Sequence, residues 1–269
     1  MSLSLNVVPA RQGAQWVRLG MQVFRKQPLG ISGLFFTLIA VVSVLSIVPV
    51  IGPLMGLAMI PALTAGLMNA THECIKGRFP SIKMLFAPIT GDKQRRRDML
   101  VLGALYALCF ACVMGLTMLI DGGTFARLYL VGGKFDEQTL TDPAFVAAMY
   151  IALVGYLPIS LAFWHAPALV FWHGLTPAKS IFFSTVTCFK NFGAFTLYGL
   201  IWFGWMLGAG LLVSLIGALL GAGVTQALMM AAILIVASMF FASIFFTFHD
   251  CFVTSPAQKT SDEPPHGSA

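Results

Sequence analysis

Charged residues are scarce in this chain of 269 residues. Asp, Glu, Lys and Arg together make up 10% of it. A soluble domain carries about 25% charged residues because its surface needs them. The composition therefore excludes a water-soluble enzyme, a disordered regulator and a disulfide-stapled secreted module. With 58% hydrophobic residues and a mean hydropathy of +0.87, most of the chain must have lipid as its solvent.

The sequence also lacks the residue sets that most enzymes and pumps need. No Ser-His-Asp set or carboxylate pair is placed for catalysis, and no glycine-rich loop is arranged to bind phosphate. The long apolar stretches contain no Asp, Glu, Lys or Arg. Because ion-coupled transporters usually require a buried ionisable group, that class is disfavoured too. We expect a protein without catalytic chemistry and without a cofactor of its own.

Six uncharged apolar stretches run through the chain. They are residues 29–51, 53–70, 99–120, 144–164, 193–219 and 225–248. A helix needs about 20 apolar residues to cross a bilayer, and each stretch is close to that length or longer. Regular strand-like alternation is missing, which disfavours a β-barrel. The sequence therefore predicts an all-α membrane protein in which residues 29–251 form a six-helix transmembrane domain of three helical hairpins.

The basic residues predict the orientation of these helices. Of the 16 Lys and Arg residues, only Arg127 and Lys134 fall on one side of the predicted membrane, where acidic residues outnumber them. The positive-inside rule then places both chain ends in the cytoplasm, namely an N-terminal segment 1–28 and a disordered tail 252–269. The net charge of +6 thus indicates membrane lipids with anionic headgroups as partners, and no nucleic acid.

An amphipathic segment precedes each predicted hairpin. In residues 9–27, apolar side chains such as Trp16 and Val23 fall on one helical face, and Arg and Gln residues fall on the other. This pattern is typical of a helix that lies in the headgroup plane. Residues 79–97 and 176–191 have related patterns. We therefore expect cytoplasmic interfacial helices, and the recurring order indicates an internal repeat.

Histidines at the predicted cytoplasmic ends of spans are the clearest hint of chemistry. Two of them begin the related tripeptides His72-Glu73-Cys74 and His249-Asp250-Cys251. One hypothesis is a metal or haem site, because imidazole and carboxylate groups are common metal ligands. We favour the other, that each histidine caps its own helix, where the C-terminal carbonyls attract it; no metal is then expected. The candidate ligand-binding residues of this region are His72, Glu73, His165, His173, His249 and Asp250.

The fifth apolar stretch contains a second candidate site. Trp202 and Trp205 are candidates to line an aromatic pocket together with Trp164-His165 and Phe171-Trp172-His173. The alternative is the aromatic belt expected at a membrane surface, but Trp202 and Trp205 lie deeper than such a belt. Gly204 and Gly208 form a Gly-x-x-x-Gly motif that permits close contact between helices, and Gly217 and Gly221 form a second one at the end of the stretch. That contact is either internal, the more common case in a six-helix protein, or the seam of a homodimer.

The segment His165–Asn191 resembles the hallmark region of a bacterial family of predicted multi-pass integral membrane proteins. It combines the sequence Ala-Pro-Ala-Leu-Val after His165, a helix led by Pro177, and the pair Lys190-Asn191 before the next apolar stretch. The N-terminal region Pro9–Trp16 resembles the same family. This resemblance implies a location in the bacterial cytoplasmic (inner) membrane, and it implies no particular activity.

These observations favour a non-catalytic accessory or scaffold that binds lipid or a partner membrane protein. An alternative is a facilitator or exporter of an apolar or lipid-like solute, which would use helices kinked at Pro61 and Pro158 and the aromatic residues near Trp202. A third hypothesis is a small metal- or haem-binding membrane protein that uses the histidines. A continuous polar cavity would favour the transport hypothesis. Converging imidazoles would favour the metal site, and a tightly packed interior would favour the scaffold.

Overall fold

The structure is a computed structural model that describes residues 2–48, 51–132 and 136–255. Within these residues the helices are α1 Gln12–Lys26, α2 Pro28–Ser46, α3 Gly52–Ile75, α4 Ile82–Thr90, α5 Lys93–Asp121, α6 Thr124–Val131, α7 Glu137–Thr141, α8 Pro143–Phe163, α9 Ala166–His173, α10 Pro177–Lys190, α11 Phe192–Leu220 and α12 Ala222–Cys251. The strands are β1 Ser2–Leu5 and β2 Phe252–Ser255.

Six spans among the described residues are long and apolar enough to cross a membrane. They are α2, α3, α5, the run from α8 through α9, α11 and α12. The predicted all-α membrane class and the six spans are therefore confirmed. Several helices extend beyond the predicted apolar stretches. Helix α5 begins at Lys93 rather than at Met99, because the Asp92 carboxylate accepts the backbone N–H groups of Gln94 and Arg95 and so caps the helix inside the basic segment. Helix α2 is shorter than predicted, since it ends at Ser46 rather than at residue 51.

Helix α3 lies at the centre of the bundle. It packs along α2, α4, α5 and α12, and 56% of its apolar stretch is buried inside the protein, compared with 11% for α11. Glycines permit the close approach. A Cβ atom at Gly103 of α5 would collide with the Ala58 carbonyl of α3, and one at Gly66 of α3 would collide with the Leu85 carbonyl of α4.

The short helices that precede the three pairs of spans each pack on a different pair. α1 lies against α11 and α12, α4 lies against α3, and α10 lies against α8 and α9. Helix α1 therefore joins the beginning of the chain to its last two spans. Strand β1 extends this junction by pairing antiparallel with β2, with Leu5 opposite Phe252. The two ends of the described chain consequently meet on one side of the bundle.

The apolar face of α1 is covered by protein rather than by lipid. Trp16 is fully buried, and its ring centroid lies 5.3 Å from that of Phe195 and 6.0 Å from that of Tyr198. Gly13 permits this contact, since a Cβ atom there would collide with the Ala194 carbonyl. The expectation that α1 lays its apolar face into the headgroup region is thus corrected, because side chains of α11 and α12 fill that space.

Helix α10 presents the opposite arrangement, with small polar residues inside and phenylalanines outside. Ser184 and Cys188 are buried, whereas Phe182 and Phe189 are 62% and 63% exposed. Burial raises the pKa of the Cys188 thiol to about 12, so the thiol stays protonated. The predicted apolar stripe of α10 therefore faces away from the bundle, as suits a helix that lies against lipid.

The C-terminal boundary differs from the predicted one. The tail was expected to begin at residue 252, but Phe252–Ser255 form β2 because β1 supplies the pairing partner. The Asn6 N–H also donates to the Cys251 carbonyl at 2.8 Å. Residues 256–269 lie outside the described residues, as does Lys134.

Candidate functional site

His165 lies in the core, at the break between α8 and α9. Its side chain is fully buried, and Nε2 lies 3.1 Å from Thr247 Oγ1. That hydroxyl donates to the Ile244 carbonyl at 2.8 Å and accepts from Trp164 Nε1 at 3.1 Å. Because a hydroxyl has one hydrogen, the network assigns the donor role to His165 Nε2 and leaves Nδ1 as an acceptor without a partner among the described residues. His165 thus lies in the core and does not cap a helix at the surface, which corrects the expected capping role.

The same break is stabilised by α10. Ser184 Oγ accepts the backbone N–H of His165 at 2.9 Å and donates to the Leu161 carbonyl at 2.8 Å. An interrupted helix leaves backbone groups unpaired, which is costly where lipid replaces water. Ser184 satisfies one donor and one acceptor at the interruption, and this explains why α10 buries its polar side.

The other candidate histidines lie around phenylalanines of α12. His72 stacks on Phe245 with ring centroids 5.3 Å apart, and His249 lies 5.8 Å from the same ring. His173 packs against Phe248 at 5.9 Å. In the part of the chain that the structure describes, no group of three or more His, Cys, Asp or Glu side chains could hold a metal ion. The described histidines thus offer no shared ligand set.

The two acidic candidates have different contacts despite their equivalent positions in the tripeptides. Glu73 forms ion pairs with Arg78 and with Lys76, the latter at 3.3 Å. Asp250 accepts hydrogen bonds from Gln12 Nε2 at 2.6 Å and Trp16 Nε1 at 2.8 Å. Asp250 therefore attaches α1 to α12, whereas Glu73 holds the chain just after α3.

An apolar groove lies between the fourth span and the last two. Within the described residues α8 is not packed along α11, and a recess of about 550 Å³ is lined by the end of α8 together with α11 and α12. Small residues leave this space between larger side chains. Among those lining the groove are Gly199, Ala209, Gly210, Ala232 and Ala237.

The wall of this groove is aromatic, and most of its polar atoms are engaged. The ring centroids of Trp164 and Tyr198 are 6.0 Å apart, and those of Trp202 and Phe240 are 5.7 Å apart. The Tyr198 hydroxyl lies 2.6 Å from Ser243 Oγ. Trp202 Nε1 is buried without a hydrogen-bond partner among the described residues. The groove therefore offers a ligand mainly apolar surface.

Trp205 and the glycine motif line a second groove, of about 650 Å³, along α11 and α12. A Cβ atom at Gly204 or Gly208 would meet no atom within 4 Å. The expected internal contact is therefore corrected, since no described helix packs on this motif. The second predicted glycine motif does make an internal contact, because a Cβ atom at Gly217 of α11 would collide with Thr225 of α12. The homodimer seam at Gly204 and Gly208 stays a prediction.

The sequence predicted that Trp164 and Trp202 share an aromatic pocket, and both line the groove, but it did not indicate Phe240. Phe240 comes from α12, and Trp164 from the end of α8. No spacing in the sequence connects these positions, because their proximity depends on how the spans pack. The only available signal was the abundance of small residues in the last two spans.

These observations define a multi-pass helical membrane protein with an apolar groove between its spans. Over 259 residues the chain is 36% identical to a probable inner membrane protein of Burkholderia thailandensis, and the match covers 93% of this chain and 94% of that protein. The chain belongs to this family of bacterial inner-membrane proteins. This confirms the predicted location in the inner membrane. No family model and no solved structure matches the chain.

Proposed function

We propose that the protein is a non-catalytic accessory of the inner membrane that holds a lipid in the groove between α8 and the α11–α12 pair. The groove itself carries this proposal. Its volume of about 550 Å³ lies within the range of about 300–1,000 Å³ typical of small-molecule sites. Its lining contains no Asp, Glu, Lys, Arg or His residue, so an apolar ligand fits it and acid–base chemistry does not.

The packing of the spans supports a retained ligand. The α2–α3 pair meets the α5–α8 pair through α3 and α5, and it meets the α11–α12 pair through α12. We interpret these pairs as the three predicted hairpins. The groove lies where the second hairpin, α5–α8, faces the third, α11–α12. An empty recess would lose dispersion contacts along its whole wall. Water is a poor occupant because it needs several polar partners, so a lipid is the best candidate.

The test fills the groove with leucine side chains. Gly199 and Gly210 both line the groove, and a Cβ atom at either position meets no atom within 4 Å. Gly115→Leu in α5 is the matched control, because its Cβ position is equally open and lies outside the groove lining. We expect wild-type protein and the control to retain lipid through detergent purification, as measured by native mass spectrometry. The double variant Gly199→Leu/Gly210→Leu should lose it, and equal retention by all three would contradict the proposal.

A second candidate function is movement of a lipid-like solute. The two grooves share Trp202, Ala209, Ala232 and Val236, so a thin layer of side chains separates them. If solute passes there, Trp202→Ala should accelerate the redistribution of a fluorescent phospholipid in reconstituted vesicles. Bound lipid without any redistribution would favour the accessory role instead.

We further propose that both chain ends lie in the cytoplasm. The distribution of basic residues supports this orientation, and the pairing of β1 with β2 requires both ends to share one side. In a variant without native cysteines, Gln138→Cys should react with an impermeant maleimide added from outside, and Lys93→Cys should not. The reverse labelling pattern would overturn the orientation.

A further inference from the structure

Helix α1 carries a row of positive charge on its exposed face. Arg11, Arg18 and Arg25 recur at every seventh position, Lys26 follows the last, and all four residues are exposed. Arg11, directly before α1, already has helical backbone angles of φ −56° and ψ −20°. Since seven residues make almost two helical turns, the arginines lie in one row about 10 Å apart. We call these four residues the cationic stripe.

Stability of α1 explains only part of the cationic stripe, because the helix dipole favours Arg25 and Lys26 in the last turn but not Arg11 or Arg18. The helix contains no acidic residue, and the ion pairs of the described residues involve Lys76, Arg78 and His249 rather than the stripe. Arg11 lies at the helix N-terminus, where the helix dipole disfavours a cation. Adjacent like charges also repel one another, so an external anion would stabilise them.

The opposite face of α1 is fixed to the bundle. A Cβ atom at Gly20 would collide with the Ser243 side chain of α12, and Trp16 donates its indole N–H to Asp250. These contacts leave α1 little freedom to turn. The cationic stripe is therefore presented in one orientation, away from α11 and α12.

The stripe lies where a span leaves the membrane. Helix α1 ends at Lys26, and only Gln27 separates it from α2, which begins at Pro28. The end of a span marks the boundary between hydrocarbon and headgroups. The start of this candidate span therefore predicts that Arg25 and Lys26 lie near the level of the lipid phosphates.

We infer that the cationic stripe binds the phosphate groups of anionic lipids in the leaflet at this end of the bundle. The planar guanidinium group donates two parallel hydrogen bonds to phosphate, which makes arginine well suited to this ligand. Each basic residue near an anionic surface strengthens binding by roughly fivefold. This site is separate from the groove, so variants of the stripe and of the groove can fail independently.

The test uses full-length protein in bilayer nanodiscs that contain equal amounts of phosphatidylglycerol and phosphatidylcholine. The stripe variant is Arg11→Gln/Arg18→Gln/Arg25→Gln. The matched control is Lys93→Gln/Arg96→Gln/Arg97→Gln, which removes the same charge from an equally exposed run at the start of α5 and keeps the hydrogen bond of Arg95 to the Phe171 carbonyl. Native mass spectrometry after release from the nanodiscs measures the ratio of the two lipids that remain bound.

We expect wild-type protein and the control to retain more phosphatidylglycerol than phosphatidylcholine. In the stripe variant the ratio of bound phosphatidylglycerol to phosphatidylcholine should fall at least tenfold. The excess should fall as salt is raised. An equal loss in the control, or no loss in the stripe variant, would overturn the inference, as would an acidic protein that binds the stripe in place of lipid.

A further variant separates charge from folding. Arg11→Lys/Arg18→Lys/Arg25→Lys keeps the positive charge but loses the bidentate guanidinium contacts, so it should keep part of the excess, whereas glutamine should remove it. Limited proteolysis within α1 reports in each case whether α1 remains docked. A glutamine variant that is docked and keeps the same excess as the lysine variant would contradict the inference.

Discussion

The junction of α3 with α5 and the junction of α8 with α11 both contain glycine, yet only the first is closed. At Gly103 the helices approach until a Cβ atom would collide with the Ala58 carbonyl, whereas a Cβ atom at Gly199 would meet no atom within 4 Å. Small residues permit close helix contact in membranes, but they also leave room for a ligand. A glycine in a membrane span therefore does not by itself predict close helix packing, because the same residue can also line a groove.

The largest effect should come from leucine at the closed junction. Gly103→Leu forces α5 away from α3, which we expect to destabilise the fold by about 3 kcal/mol or more. Gly199→Leu projects into the groove and should change stability little. Thermal unfolding in detergent measures both, and equal losses of stability would show that the groove is closed in the folded protein.

The next effect should arise where α1 joins the spans beside the groove. Asp250→Ala leaves the buried Trp16 N–H without its acceptor and should cost about 1–3 kcal/mol. The tryptophan emission, to which Trp16 contributes one of five indoles, should also shift slightly to longer wavelength as α1 loosens. Glu73→Ala, at the equivalent tripeptide position, removes ion pairs with exposed partners and should cost less. The opposite ranking would contradict the role of Asp250 as the attachment of α1.

A smaller difference is expected between two tyrosines. Tyr198→Phe removes a hydrogen bond of 2.6 Å to Ser243 at the groove wall, at a cost of about 1 kcal/mol. Tyr156→Phe removes a bond of 3.2 Å to Tyr106 between α5 and α8, and Tyr156 is 41% exposed. We expect the second substitution to cost less, and chemical denaturation of the paired variants tests this order.

The smallest effect is expected at Cys188, which should resist alkylation while the protein is folded. Its pKa is raised to about 12 from a usual value near 9.0, because burial disfavours the thiolate. The pKa of this thiol is higher in the folded protein than in the unfolded chain. Its contribution to the free energy of unfolding is therefore fully present below pH 9 and is lost as pH rises from about 9 towards 12. Mass spectrometry after maleimide treatment at pH 8 should find Cys188 unmodified. Rapid modification without unfolding would show that α10 separates from α8.

The sequence was most informative where each segment obeys a local constraint. A span must be long and apolar whatever its neighbours are, so six uncharged stretches sufficed to predict the class and the six helices. The amphipathic pattern of residues 9–27 likewise predicted α1. It did not reveal what covers the apolar face, because lipid and the side chains of α11 and α12 are equally apolar partners for Trp16.

The candidate site depended on contacts between distant parts of the chain. His165 was predicted to cap a helix, but Thr247 of α12 and Ser184 of α10 hold it in the core. Trp202 was identified from its depth, while its neighbour Phe240 could not be. The apolarity of a span determines that it lies in the membrane. It does not determine which helix packs against it, because lipid competes for every apolar helix surface. Steric fit and a few hydrogen bonds made that choice, and only the tertiary structure contains them.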